Sequence, residues 1–371
     1  MTFRDLSSMP MARGFIGGKL AVADGKACWP GGVSYGYGGG DYGTYAQRSR
    51  ETHFYLPDAD VWTYGPNLPL RIGGHCVGVF DGKVYVAFGT THTSSSYNYG
   101  TGFPSVYELD VAEWFAGNVS AWTTKFADVA SALRRMYGSS VMIGSTMYCL
   151  GGLDMDSNQH ETIIVLDVAN GTIDEVDVGL GYWPLGTQIE VFDGQLYVIM
   201  GDTDHMYRID PASWTWQELS RLPIVLAHEN PPTWNRVGSS LVLAGGGYDY
   251  RSRMYLYDTT TDTWSRSEDL PQDYSGHAAA LVPGAGLMLA GGREYPYGET
   301  IYIDRVVAYE NEPVDLSPMQ LAGAGYLSNF SESGAVVLGE GVLAGRGRSR
   351  YGTSLVPGIR AAGISLQDED E

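Results

Sequence analysis

VGVFDGKVYVAFG, residues 77–89, reads as two apolar runs joined by Asp81-Gly82. An Asp-Gly pair between alternating runs marks a tight hairpin, because a type I′ turn needs positive φ at both central positions. The same grammar returns in LAVADGKACWPGG (20–32) and IEVFDGQLYVIMG (189–201). Looser copies are SSVMIGSTMYCLGG (139–152), TWNRVGSSLVLAGGG (233–247), AALVPGAGLMLAGG (279–292) and GAVVLGEGVLAG (334–345). The seven turns, near 25, 82, 145, 194, 238, 285 and 340, are spaced by 44 to 63 residues. That spacing fits a repeated four-stranded unit with loops of varying length.

Each hairpin is followed by a loop and a third apolar run: THFYLP (52–57), SVYELD (105–110), IIVLDV (163–168), MYRID (206–210), MYLYD (254–258) and RVVAYE (305–310). Fourth runs carry an aromatic and then a Leu-Pro turn, as in VWTYGPNLP (61–69), WQELSRLP (216–223) and WSRSEDLP (264–271). For the sixth copy the fourth run is VDLSPM (314–319). The seventh has TSLVPGI (353–359) and none after it, whereas Phe3–Pro10 reads as a fourth run without a preceding blade. Pairing Phe3–Met9 beside Thr353–Ile359 closes a ring and removes its open edge. The expectation is an all-β, seven-bladed propeller closed by pairing of the N-terminal strand with the C-terminal blade. It forms one domain over 1–363, with residues 1–10 completing the last blade and 364–371 as an acidic tail. Within 111–135, Phe126–Leu133 is expected to form a short helix.

The repeats resemble the kelch family of β-propellers. The resemblance rests on paired glycines at Gly31-Gly32, Gly151-Gly152, Gly245-Gly246 and Gly291-Gly292, on Tyr and Trp downstream of them, and on Met9-Pro10-Met11-Ala12-Arg13 and Leu68-Pro69-Leu70-Arg71. Three doublets depart from the pattern, as Gly89-Thr90, Gly201-Asp202 and Gly345-Arg346, which leaves six and eight blades as alternatives.

Composition narrows the function. Hydrophobic residues are 44% of the 371, enough for a core, and the net charge of −20 disfavours nucleic acid. No run of about 18 apolar residues is present, so membrane insertion is not expected. Met1–Asp5 shows neither the basic nor the apolar part of a signal peptide, which points to a cytoplasmic or virion-associated setting. Cys28, Cys76 and Cys149 lie in apolar strand-like stretches and read as buried reduced thiols without a disulfide framework.

In an up-and-down blade, the loops between strands two and three leave on the same face as the links between blades. The short hairpins leave on the other. The long loops are 34–50, 90–104, 248–253, 293–300 and 346–352, and they hold 11 of 26 tyrosines and 8 of 19 arginines. Arg13, Arg71, Arg134 and Arg135 join them from the links. Tyrosine with Gly and Ser builds adaptable recognition surfaces, and arginine forks suit acidic groups. The candidate ligand-binding residues are Tyr35, Tyr37, Tyr97, Tyr99, Tyr250, Arg251, Arg253, Tyr295, Tyr297, Arg348, Arg13, Arg71 and Arg135. A protein or glycan partner is expected there, in isolation or within a larger assembly such as a phage particle.

Enzymatic kelch relatives supply the alternative. A galactose-oxidase-like copper site needs two Tyr and two His, and the seven histidines show no shared spacing for one. Similarity to sialic acid mutarotases would place an acid/base pair in the central pocket, with His228-Glu229 beside Arg71 or Arg135. Asp154, Asp156, Asn158 and Glu161 crowd one loop, but the glycine of a calcium loop is replaced by Gln159. No cofactor, metal or catalytic residue is assigned.

Overall fold

The Asp-Gly turns adopt the conformation their residues require: Asp24 and Gly25, Asp81 and Gly82, and Asp193 and Gly194 all have positive φ, from 47° to 74°. Each joins two antiparallel strands in the expected register, for example Phe80 opposite Lys83 and Phe192 opposite Gln195. A computed structural model describes residues 2–14, 19–35, 46–91, 103–154, 156, 158–181, 183–226, 231–246, 251–294 and 301–310, with the short strands Gly334–Ala335 and Ala344–Gly345. The chain divides into two units, Met1–Tyr326 and Leu327–Glu371.

The first unit contains six four-stranded antiparallel sheets. From the inner strand outward, sheet one is Ala21–Ala23, Lys26–Pro30, Thr52–Leu56 and Val61–Tyr64. Sheet two is Cys76–Phe80, Lys83–Ala87, Val106–Asp110 and Thr123–Phe126, and sheet three is Ser139–Ile143, Thr146–Leu150, Thr162–Asp167 and Thr172–Asp177. Sheet four is Gln188–Phe192, Gln195–Ile199, Met206–Ile209 and Trp216–Glu218. Sheet five is Thr233–Val237, Ser240–Ala244, Met254–Asp258 and Thr263–Arg266. Sheet six takes Ala278–Val282, Gly286–Ala290 and Val306–Glu310, and its outer strand is the chain's beginning, Thr2–Leu6.

Six apolar clusters hold these sheets together, one at each junction. The cluster between sheets two and three joins Cys76, Tyr85 and Val106 to Met147, Cys149 and Ile164. That between sheets four and five centres on Ile199, Trp234 and Tyr257. The sixth cluster joins sheet six to sheet one through Leu6, Met9, Trp29, Ala280, Met288 and Val306. A parallel bridge between Lys19 and Ala279 lies at the same junction, with Leu20 N–H donating to Ala279 O at 3.2 Å. Among the described residues the ring is therefore closed by six sheets.

Two expectations are corrected. The N-terminal strand does close the last described sheet of the ring, but its partner there is Val306–Glu310, with Phe3 opposite Tyr309, whereas the expected partner, Thr353–Ile359, lies outside the described residues. The N-terminal strand takes the outer position expected of residues 314–319. Leu6 fixes this choice, since it fills the apolar cluster between sheets six and one. Of the expected seventh blade, the structure describes only the pairing of Gly334–Ala335 with Ala344–Gly345 in the second unit, and the count among the described residues is six. The helix expected at Phe126–Leu133 is a strand end followed by a 3₁₀ turn at Ser131–Leu133. The α-helix of this region is Val111–Phe115, where the Asp110 side chain caps the Glu113 N–H.

Candidate binding face

Strand order puts the two kinds of connection on opposite faces. Turns of two or three residues link strands one and two, whereas residues 31–51, 88–105, 151–161, 200–205, 245–253 and 291–305 link strands two and three. The latter share their face with the links between sheets, and backbone bonds tie the two sets together. Gly32 N–H donates to Ile72 O (3.0 Å), Gly89 to Arg135 O (2.6 Å), Gly246 to Tyr274 O (2.9 Å) and Gly292 to Arg13 O (2.8 Å). Each of these glycines has φ between 84° and 101°. A Cβ on Gly32 would stand 2.8 Å from the Trp29 indole nitrogen, which explains glycine there.

The face divides into a buried framework and the loops it carries. Arg13 is fully buried, and its guanidinium donates to Gly31 O at 2.6 Å and contacts His53 Nδ1 at 2.9 Å and Glu51 at 3.4 Å. Burial, with the guanidinium beside it, holds the His53 imidazole down to about 3, so it is neutral and accepts from Arg13. Arg135, 2% exposed, bonds Glu175 and the carbonyl of Ala132. Both arginines were expected to face a ligand, but the structure uses them to brace the roots of the loops. Arg71 is exposed and donates to Arg48 O at 3.2 Å, while Arg48 donates to the Tyr137 hydroxyl at 2.8 Å.

Arg251 and Arg253 stand half-buried at the foot of the sheet-five loop, where their carbonyls accept from Tyr274 and Gly245. Tyr35 ends a short ladder, Val33–Tyr35 with Ala46–Arg48, within the loop of sheet one. Tyr37, Tyr97, Tyr99, Tyr250, Tyr295, Tyr297 and Arg348 lie outside the described residues, as does His228-Glu229.

An ion pair crosses the ring axis. Lys19 Nζ, at the entry to sheet one, lies 2.7 Å from Glu190 Oε2 on the inner strand of sheet four, the opposite sheet in a ring of six. Both side chains are largely buried, and burial lowers the lysine's pKa against the opposing pull of Glu190. Asp154 organises its own loop: its carboxylate accepts from Asp156 N, Asn158 N, Asn158 Nδ2 and His160 Nε2 at 2.8 to 3.1 Å. Those bonds occupy the oxygens a cation would need. No group of three or more His, Cys, Asp or Glu is placed to hold a metal ion among the described residues.

Sequence reading missed a second device. In sheets one and five, Tyr55 and Tyr257 donate to Asp60 and Asp262 at 2.8 and 2.6 Å. The same aspartates accept from Ser7 N and Ser220 N, and Trp62 and Trp264 donate back to Ser7 O and Ser220 O. Trp122 and Trp216 make the equivalent bond to Pro66 O and Val178 O. The outer strands of sheets one, two, four and five are thereby fastened to the links entering those sheets. The signal was present as Tyr-x4-Asp-x-Trp in YLPDADVW (55–62) and YDTTTDTW (257–264).

Repeated glycine doublets, ring closure and these Tyr-Asp-Trp fastenings coincide with similarity to known proteins. A 94-residue stretch is 34% identical to human Kelch-like protein 30, covering 24% of this chain and 16% of that protein. Over 256 residues the chain is 23% identical to Kelch-like protein terF of Aspergillus terreus, covering 62% of this chain and 52% of the relative. These distant kelch-like relatives and the ring of sheets support a kelch-repeat β-propeller. The chain spans about half or less of the length of these two relatives, and no family model matches it. No helix among the described residues is long and apolar enough to cross a membrane.

Proposed function

We propose that this propeller is a non-catalytic binding module that holds a protein partner on the long-loop face. The asymmetry of the two faces carries the reading. Hairpin turns of two or three residues offer little surface, whereas the opposite face gathers long Tyr-, Gly- and Arg-rich loops on a rigid, hydrogen-bonded base. Rigid roots lower the ordering cost of binding, and tyrosine supplies contact area with few rotors. Glu175 engages Arg135, one of the two arginines offered for a mutarotase-like pocket, which leaves Arg71 as the remaining arginine for that alternative.

The test compares faces. Tyr97→Ala, Tyr250→Ala and Tyr297→Ala, combined, are expected to abolish capture of a partner from the source extract while the circular dichroism spectrum is kept. Thr261→Ala, in a turn on the hairpin face, is expected to leave capture unchanged. Capture that survives the triple variant and fails in Thr261→Ala contradicts the assignment.

A further inference from the structure

Sheets two and three meet along an interface that carries two of the three cysteines. Cys76 opens the inner strand of sheet two and packs in one cluster with Met147, Cys149 and Ile164 of sheet three. Cys149 lies on the second strand of sheet three, opposite Ser140 in the ladder. Ser140 Oγ stands 3.0 Å from both the amide nitrogen and the carbonyl oxygen of Val77, the residue after Cys76. One hydroxyl thus pins the strand that bears Cys76 against the strand pair that bears Cys149. Both thiols are buried in that one cluster, at 1% and 2% exposure. Cys28 belongs to the separate cluster between sheets one and two.

We infer that Cys76 and Cys149 form a reversible disulfide that clamps sheet two to sheet three under oxidising conditions. Both side chains pack in this one cluster across the interface, and bonding closes the sulfurs to about 2.05 Å. With oxidised glutathione as oxidant, one cysteine thiolate attacks a glutathione sulfur, and a mixed disulfide and one reduced glutathione result. The second cysteine then displaces the other glutathione. The two protein thiols lose two electrons, their protons end on two reduced glutathiones, and one S–S bond replaces another. Burial pushes the Cys149 thiol pKa up, while the Arg135 guanidinium pulls the other way and favours its thiolate. Reaction therefore waits on brief opening of this interface, and low urea accelerates it.

The full-length reduced chain is incubated with oxidised glutathione in urea below its unfolding transition. It is quenched by alkylation, digested without reductant and mapped by mass spectrometry. The expected product joins Cys76 to Cys149 in protein with a native circular dichroism spectrum, Cys28 being alkylated only after denaturation. Its urea midpoint is raised, and dithiothreitol reverses the rise. In Cys149→Ser the midpoint does not respond to the oxidant. Persistence of both thiols, pairing of Cys28 with either, or a crosslink found only in unfolded chains overturns the inference.

Discussion

Asp262 holds a left-handed turn (φ 53°), accepts from the Tyr257 hydroxyl and accepts from Ser220 N across the link to its sheet. Asp262→Ala removes both bonds and leaves a strained backbone, for an expected loss of about 2–3 kcal/mol. Tyr257→Phe removes one bond and is expected to cost about 1 kcal/mol; urea unfolding of the two variants checks the order. Buried histidines set a pH dependence of known sign. Burial holds His75 and His277 down to about 3, against 6.5 for an ordinary imidazole. Below pH 6.5 the unfolded chain takes up protons that the folded chain refuses, so stability falls as pH drops from 6.5 towards 3. Each histidine contributes a slope of about 1.4 kcal/mol per pH unit, and above that window neither contributes any. Urea midpoints between pH 8 and pH 4.5 measure it, and the expected profile is flat and then falling.

At the scale of elements, the glycine doublets are more than turn residues. A Cβ on Gly152 (φ 83°) would stand 2.3 Å from Met136 O, while one on Gly238 (φ 61°) would meet nothing within 4 Å. Gly152→Ala is expected to cost more than 3 kcal/mol, and Gly238→Ala only about 1 kcal/mol of backbone strain. Thermal unfolding of the pair separates close approach from conformation. The hairpins were legible because Asp-Gly between alternating runs has one common conformation, and all six third strands follow the sequence reading. The partner of the first strand was not. Residues 305–310 and 353–359 are both short apolar runs, and the sequence holds nothing local that separates them. The candidate face was legible as composition, since strand parity assigns the loops to one side. The burial of Arg13 and Arg135 was not, because an arginine beside a loop reads alike whether its fork meets solvent or the carbonyls of Gly31 and Ala132.

For the whole molecule, closure is the property from which the binding face follows. Thr2–Leu6 covers the edge of Val306–Glu310, and Leu6 and Met9 fill the last apolar junction. The Lys19–Glu190 pair then spans the axis from the closing junction to the opposite sheet. A ring completed by these parts is expected to fold from the first unit alone. The most direct measurement is the unfolding of the chain ended after Tyr326, set beside that of the full chain. The six-sheet ring predicts one cooperative transition, the same strand-rich spectrum and a midpoint shifted by less than about 1 kcal/mol in free energy. A truncated chain that fails to fold, or that loses several kcal/mol, would place an essential blade after residue 326 and contradict the closed ring of six.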